Sequence, residues 1–213
     1  MTADRHERPG ELPYDLVVAA DLDRGIARAG HIPWRLSADL RHFKRLTATT
    51  TAAGAQNAVV MGRVTWASLP AQVQPLPGRV NVVLSRAAAL DLPSGVMHAC
   101  DLADALARLR ERTPAIERVF VIGGAQVYAA ALRAPGCRYI YYTRVQGHFG
   151  CDTFFPAFEH DHRLIEILDQ DQGPTGNAGP ARALARDAVS PGASTEAENR
   201  PPGYRIEVWG RIR

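Results

Sequence analysis

Cysteine, long apolar runs and net charge are all scarce in this chain of 213 residues. The cysteines are only Cys100, Cys137 and Cys151, an odd number without metal-ligand spacing, which argues against a disulfide scaffold and a metal centre. No apolar stretch is long enough to cross a membrane, and the polar start of the chain, MTADRHERPGELP, is neither a signal peptide nor a transit peptide. We therefore expect a cytoplasmic protein with reduced thiols and no membrane partner.

The weak charge also bears on the kind of partner. The formal net charge is +3 and the basic residues do not cluster, so the composition does not indicate a nucleic-acid partner. A small anionic ligand fits this modest positive surplus equally well. The length suits one domain with its own hydrophobic core.

Apolar runs alternate with helical patterns along most of the chain. Runs rich in β-branched and aromatic residues predict buried strands at 16–22, 58–62, 80–85, 118–123 and 139–145. Helical patterns fall between them at 38–47, 65–68, 102–112 and 126–132. Two late segments, 164–168 and 204–212, predict an antiparallel pair at a sheet edge. The order of these elements indicates an α/β fold with a mixed sheet covered on both faces.

Two polar segments fall outside this pattern. We expect residues 1–13 to form an N-terminal extension and residues 14–213 to form a single domain. The stretch 173–203 holds five glycines, five prolines and no aromatic residue. Such a stretch cannot bury enough apolar surface to offset the entropy of ordering it, so we predict a disordered insertion between the last two strands.

The stretch HIPWRLSADLRHFKRLT (31–47) places an acid, Asp39, in the first turn of a predicted helix. Ser37 is suited to cap that helix, and Asp39 in its first turn could simply complement the helix dipole. The alternative is a ligand role, because a carboxylate among large apolar groups needs a cationic or hydrogen-bonding partner, and a flat, amine-bearing ring would satisfy it. The apolar neighbours are Ile32, Trp34, Leu40 and Phe43.

Two predicted strands run through glycine into a helix. One ends at Gly123 and Gly124 and the other at Gly62. Glycines allow close approach of the backbone, and a helix N-terminus offers free N–H donors to a phosphate. With only two glycines, the first turn is not the six-position Rossmann fingerprint, and a plain tight turn remains the alternative. Two such turns could hold the two ends of one pyrophosphate.

Arginines near the ends of the predicted strands suit anion binding. Arg63, Ser85 and Arg86 offer guanidinium groups and a hydroxyl. A site for an unphosphorylated ribose would carry an acidic residue instead, so these residues favour a 2′-phosphate, and therefore NADPH over NADH. Arg79 follows the stiff turn PLPG and is suited to grip a carboxylate. Each of these residues alone could be an ordinary surface residue.

Taken together, the motifs resemble the dihydrofolate reductase family. IPW, LSADLRHFKRLT, VVMGRVTW, PLPGR, VVLSR, VIGGAQVY, YYTRV and DTFFP occur in family order from about residue 15 to 169, and the resemblance resumes at 204–213. The spacer before VVMG is similar to that of the eukaryotic-type enzymes, with no thymidylate synthase domain expected. The resemblance implies a mixed, mostly parallel sheet of about eight strands with an antiparallel C-terminal edge, flanked by about four helices.

The resemblance also implies roles at a pterin site. Asp39 would bind the pterin 2-amino group and N3, with Thr143 supporting it, and Arg79 would clamp the glutamate α-carboxylate. Ile32 and Trp34 match the loop that closes over the nicotinamide. The remaining substrate contacts implied are Val18 and Ile122 through their carbonyls, Leu40, Phe43 and Tyr128.

The cofactor implied is NADPH, with Gly123–Gly124 as a cis peptide. The residues that the resemblance assigns to the cofactor are Ala19, Ile26, Gly62, Arg63, Val64, Thr65, Leu84, Ser85, Arg86, Gly123, Gly124, Ala125, Gln126 and Val127. One departure is Ala27, where the family usually has glycine, because alanine resists the positive φ that glycine allows.

The expected reaction is reduction of 7,8-dihydrofolate to tetrahydrofolate, by hydride transfer to pterin C6 and protonation at N5. The resemblance further implies binding of antifolates such as methotrexate, and a monomer. Two alternatives stay open: the reductase domain of riboflavin biosynthesis, and a catalytically silent pterin or nucleotide binding protein.

Overall fold

The computed structural model of the protein describes residues 12–87, 90–112, 115–171 and 201–212. Its strands are β1 (Tyr14–Ala20), β2 (Gly25–Ala27), β3 (Gln56–Gly62), β4 (Arg79–Leu84), β5 (Val96–Ala99), β6 (Ile116–Gly123), β7 (Cys137–Val145), β8 (Thr153–Phe154), β9 (His162–Asp171) and β10 (Tyr204–Arg211). Its helices are α1 (Ser37–Ala48), α2 (Arg63–Ser68), α3 (Leu102–Arg110) and α4 (Ala125–Arg133), with a short 3-10 helix at Ala71–Val73. None of the helices in these ranges is long and apolar enough to span a membrane.

Eight strands form the central sheet, in the order β5-β4-β3-β6-β1-β7-β10-β9. The first six run parallel, whereas β10 is antiparallel to β7 and β9 is antiparallel to β10. The predicted fold, a mostly parallel mixed sheet with an antiparallel C-terminal edge, is therefore confirmed. A second, two-stranded sheet of β2 and β8 has no counterpart in the sequence prediction.

Both faces of the sheet are covered over its central strands, as the nearly continuous apolarity of those strands predicts, whereas nine of the ten residues of the edge strand β9 are exposed. Successive side chains of a strand point to opposite faces, so Leu16 and Val18 pack in a cluster with residues of α3 and α4. Between them, Val17 packs on the other face with Trp66 of α2, and Phe43 of α1 borders the same cluster. This arrangement places α1 and α2 together on one face of the sheet.

Strand β1 ends earlier than predicted, at Ala20, because Asp21 starts a turn. The buried Asp21 carboxylate accepts hydrogen bonds from the backbone N–H groups of Gly25 (2.7 Å) and Asp23 (3.0 Å). The non-glycine residues with positive φ in this region are Arg24 and Ala29, while Ala27 lies in β2. Alanine is therefore accommodated at position 27, since a strand requires no positive φ.

Helix α1 also begins differently from the prediction. Ser37 is its first helical residue, Leu36 occupies the N-cap position, and no side chain caps the helix. The prediction that Ser37 caps the helix is wrong by one position. The extended backbone of Leu36, whose side chain is buried, sets the start of the helix instead.

The predicted insertion and N-terminal extension lie mostly outside the described residues. The strands that flank the insertion are paired where they meet it, since Asp171 of β9 is opposite Tyr204 of β10. Gly203 differs from the prediction for 173–203, because it is buried and its carbonyl accepts a hydrogen bond from the N–H of Gln146 at 2.8 Å. At the other end of the chain, Leu12 packs against the core.

Candidate active site

Asp39 lies in the first turn of α1, where the helix meets β7. The hydroxyl of Thr143, in β7, donates a hydrogen bond to Asp39 Oδ1 at 2.7 Å. No cation of the described residues forms an ion pair with Asp39. Burial raises the pKa of Asp39, and the Thr143 hydrogen bond opposes this to a smaller extent. The carboxylate therefore has one neutral donor and unused acceptor capacity, as the ligand interpretation of the motif requires.

The predicted apolar neighbours of Asp39 fall into two groups. Ile32 and Leu40 are more than 60% exposed and present apolar surface to solvent. Trp34 is buried, packs edge-on against Phe149 with ring centroids 5.1 Å apart, and forms a small cluster with Leu36. Trp34 thus anchors the segment before α1, whereas the side chains of Ile32 and Leu40 remain exposed.

Tyr128 lies behind the site, at the first turn of α4. Its side chain is buried, and its hydroxyl donates to the carbonyl of Val17 at 2.7 Å. Burial raises the pKa of Tyr128, and the negative charge of Asp39 raises it further, so the hydroxyl stays protonated and acts as a donor. The hydrogen bond fixes β1 just before Val18, whose carbonyl was predicted to face the pterin.

The ends of three adjacent strands meet at this position. Ala19 of β1 is opposite Thr143 of β7, and β6, which ends with Ile122 and Gly123, pairs with the other side of β1. Ile26 of β2 packs against the core cluster next to β1. Strand pairing therefore brings the residues predicted for the pterin edge and the nicotinamide to one end of the sheet.

Arg79 is held by α1 and by its own turn. It is 8% exposed, its Nη1 donates to Thr47 Oγ1 at 2.7 Å, and its Nε donates to the carbonyl of Pro77 at 3.1 Å. The guanidinium carbon also lies 5.7 Å from the ring centroid of Phe43. Burial lowers the pKa of Arg79, and no carboxylate of the described residues pairs with it. A buried cation with this fixed orientation is suited to a ligand carboxylate.

The two glycine turns lie side by side, because β3 and β6 are neighbours and Met61 is opposite Gly123. The peptide bond between Gly123 and Gly124 is cis, as the resemblance implies, and Gly123 has a φ of +127°. A Cβ at Gly123 would lie 3.3 Å from Thr65 Oγ1, and one at Gly124 would lie 3.2 Å from the same atom. Only glycine keeps this surface open at the N-terminus of α4, and that openness fits the close approach of a pyrophosphate.

The other residues predicted for the cofactor border these turns. A Cβ at Gly62 would lie 3.2 Å from Val127 Cγ2, so the side chain of Val127 in α4 packs on the turn at Gly62. The rest are distributed over the starts of α2 and α4 and the end of β4: Arg63, Val64, Thr65, Leu84, Ser85, Arg86, Ala125 and Gln126. Arg63 and Arg86 are exposed at the ends of β3 and β4, which are adjacent strands, as a shared anion contact requires.

Two residues that contribute hydrogen bonds to this region were not predicted from the sequence. Thr47 has no role in the prediction from the sequence, but its hydroxyl donates to the carbonyl of Phe43 at 2.7 Å and accepts from Arg79. The spacing of four residues is a signal for such a bond. His98 of β5 hydrogen-bonds through Nε2 to the carbonyl of Ser85 at 2.9 Å, and nothing in the sequence pattern predicted β5.

The loop between β1 and α1 is tied to the rest of the protein near β8. Asp152 Oδ2 accepts a hydrogen bond from the N–H of Ala29 at 2.7 Å, and the N–H of Asp152 donates to the carbonyl of Ala27 at 3.0 Å. Asp21 also accepts from the N–H of Phe149 at 3.1 Å. The loop that carries Ile32 and Trp34 therefore has a defined position. Within the described ranges, no cluster of three His, Cys, Asp or Glu side chains could hold a metal.

Comparison with known proteins decides the family. The model of the family named dihydrofolate reductase matches residues 14–178, more than half of the chain. The chain belongs to the dihydrofolate reductase family. The resemblance inferred from the motifs is thereby confirmed.

Relatives occur in two contexts. The dihydrofolate reductase of Drosophila melanogaster is 39% identical over 166 residues, which cover 78% of this chain and 90% of that protein. The dihydrofolate reductase of Aedes albopictus is 37% identical over 159 residues, 73% of this chain and 86% of that protein. The bifunctional dihydrofolate reductase-thymidylate synthase of Daucus carota is 44% identical over 151 residues, 68% of this chain but only 28% of the relative. The chain thus spans less than a third of that bifunctional relative.

Proposed function

We propose that this member of the dihydrofolate reductase family reduces 7,8-dihydrofolate to 5,6,7,8-tetrahydrofolate, with NADPH as the reductant. The observation that carries the proposal is the Asp39 carboxylate, which is buried, held by Thr143 and has no cationic partner among the described residues. A pterin offers such a carboxylate a 2-amino group and N3 as a matching pair of donors. Arg79 supplies the complementary cation for the glutamate end of the substrate.

The role of Asp39 follows from its charge and its position. An ionised carboxylate at the 2-amino group and N3 stabilises positive charge on the pterin, and so favours protonation at N5, with the proton taken from solvent. Thr143 holds the carboxylate in place. Tyr128 and Val17 fix the backbone against which the ring lies. Burial raises the pKa of Asp39, so ionisation in the free enzyme is less favourable than in water, and a bound cationic pterin would restore it.

The groups present fit NADPH. The glycine turns at Gly62 and Gly123–Gly124 leave backbone surface open beside the N-terminus of α4, which suits the pyrophosphate. Arg63, Ser85 and Arg86 would hold the 2′-phosphate. The chemistry that NADPH supplies when bound is a hydride, delivered from nicotinamide C4 to pterin C6. Ala19, at the end of β1, would contact the nicotinamide amide through its backbone.

We further propose that the protein acts as a monomer on this small-molecule substrate. The resemblance to the family supports this state. Antifolates such as methotrexate would occupy the same pocket, because their amine-bearing ring offers Asp39 the same pair of donors.

The test is the loss of absorbance at 340 nm with NADPH and three candidate substrates: dihydrofolate, folate and the pyrimidine substrate of the riboflavin pathway. We expect rapid oxidation of NADPH with dihydrofolate. Asp39→Asn should slow turnover strongly at pH 7 and recover part of it at low pH, where the substrate is already protonated. The matched control is Asp104→Asn, an acid in the first turn of α3, and its turnover should equal that of the wild type.

Three results would contradict the proposal. Oxidation of NADPH with the pyrimidine alone would favour a riboflavin-pathway reductase. Binding of NADPH and folate without oxidation would favour a silent binding protein. Turnover of Asp39→Asn near the wild-type rate at pH 7 would remove Asp39 from the mechanism.

A further inference from the structure

A cavity of about 320 Å³ lies on the side of α1 that faces β9. Ala38, Arg41, His42 and Arg45 line it from the helix, and Asp169 lines it from β9. The helix residues are three and four positions apart, so they form one continuous stripe. None of these residues has a role in the reductase site described above.

The cavity is separate from both parts of that site. At 100° per residue, the stripe of Arg41, His42 and Arg45 points away from Phe43, which borders the apolar cluster on the sheet. Asp169 is on β9, the eighth strand of the sheet, whereas Ser85 follows β4, the second. Six strand spacings of ~4.8 Å place β9 ~29 Å from β4, so a ligand in this cavity is not the 2′-phosphate of NADPH.

The charges around the cavity are unbalanced. Arg41 and Arg45 make no side-chain hydrogen bond or ion pair with any residue in the described part of the chain. They are four residues apart on one helix, a spacing at which like charges repel each other. Asp169 supplies one negative charge, and it already accepts a hydrogen bond from the hydroxyl of Tyr204 at 2.9 Å. Two exposed guanidinium groups thus line the cavity with one carboxylate, while a second carboxylate, Asp171, lies near Tyr204 on the same strand edge.

His42 is the second observation that indicates a ligand. Its side chain is only 7% exposed, and its Nε2 has no hydrogen-bond partner among the described residues. Buried polar side chains nearly always have a partner. The groups around the imidazole are Arg41 and Arg45 on its own helix, Asp169 on β9, and the ring of Tyr141 on β7, 6.4 Å away between centroids. Burial and Arg45 lower the pKa of His42, and Asp169 opposes them.

We propose that this cavity is a second anion site, in which a phosphate group binds between the guanidinium groups of Arg41 and Arg45. The planar guanidinium matches the spacing of phosphate oxygens, and two of them neutralise a dianion. The bound charge offsets the repulsion between the arginines and favours the protonated form of His42. The ligand class is inorganic phosphate or a small phosphate monoester, and the site does not depend on the reductase function.

The test is a titration of the protein followed by NMR of the histidine ring carbons and protons. NADPH is present at saturation to occupy its own site, and ionic strength is kept constant with sodium chloride. Sodium phosphate and glycerol 3-phosphate are the two probes. We expect a saturable shift of the His42 resonances and a rise in the pKa of His42 with at least one probe, and the tighter probe identifies the source of the phosphate.

Variants assign the binding to this cavity. The double variant Arg41→Gln/Arg45→Gln should weaken binding by ~10-fold or more, since two charge-assisted contacts are lost. The matched control is Lys44→Gln, which removes an exposed cation of the same helix outside the stripe and should leave the affinity unchanged. Asp169→Asn should strengthen binding by ~3-fold, because a nearby negative charge is removed. Because Asp169→Asn is expected to strengthen binding, it still tests the proposal if the double variant does not fold.

Absence of a saturable His42 shift with both probes would overturn the proposal. So would a shift that persists undiminished in the folded double variant, or binding that Asp169→Asn leaves unchanged. If NADPH itself does not bind, the proposed cofactor fails, but the dependence of the His42 shift on Arg41 and Arg45 still decides this site.

Discussion

Arg79→Ala should weaken the binding of dihydrofolate far more than that of a pterin without a glutamate tail. The wild-type guanidinium is oriented by the Thr47 hydroxyl and the Pro77 carbonyl, and it lies close to the ring of Phe43. These contacts use Nε and Nη1, so Nη2 is available to a ligand. No carboxylate of the described residues competes for the charge.

The magnitude follows from the burial of Arg79. Removing one partner of a buried, hydrogen-bonded charge pair costs about 2–5 kcal/mol. Arg79 is 8% exposed, and the glutamate end of the substrate must reach water, which places the pair in the lower part of that range. A loss of ~2–3 kcal/mol corresponds to a dissociation constant ~30- to 140-fold higher.

The assay compares dissociation constants of dihydrofolate and 6-methylpterin, measured by quenching of protein fluorescence, in the wild type and in three variants. Arg79→Lys keeps the charge but loses the planar fork, so its effect should be intermediate. Thr47→Val removes the acceptor that orients Arg79, and dihydrofolate should bind it only ~2- to 12-fold more weakly. Equal weakening of both ligands by Arg79→Ala would show that Arg79 shapes the pocket in general. No change for either ligand would refute the assignment of Arg79.

Three further outcomes are expected. Burial raises the pKa of Asp39, so the folded state binds a proton more readily than the unfolded state. The free energy of unfolding of the wild type therefore falls as pH rises through that pKa. Urea unfolding should show that Asp39→Asn gains stability relative to the wild type from acidic to neutral pH. Arg63→Ala/Arg86→Ala should lose most of the preference for NADPH over NADH in kcat/KM, and an unchanged ratio would contradict the 2′-phosphate assignment. Replacing residues 176–201 by a short Gly/Ser turn should leave turnover nearly unchanged, because loop entropy varies by only ~0.6 kcal/mol per doubling of length. Loss of folding would show that this segment packs on the core.

The predictions that held depended on local patterns. The runs at 58–62 and 118–123 became the cores of β3 and β6, because uninterrupted β-branched residues are stable only between two covered faces. The predictions that failed concerned the ends of elements and short strands. Ser37 missed the cap position by one residue, and β5 was not predicted at all, since four residues with two polar or flexible side chains carry too little periodicity.

The sequence by itself determined the α/β class and the glycine turns. It also determined which types of side chain are present to bind an amine-bearing ring, a carboxylate and a phosphate. These follow from spacing along the chain, which backbone geometry converts directly into strands, helices and turns. Only the tertiary structure decided which groups meet. The bond from Thr143 to Asp39 joins residues 104 positions apart, and that from Tyr128 to Val17 joins residues 111 apart. Such contacts depend on strand order, with β1 between β6 and β7, and no local pattern encodes that order.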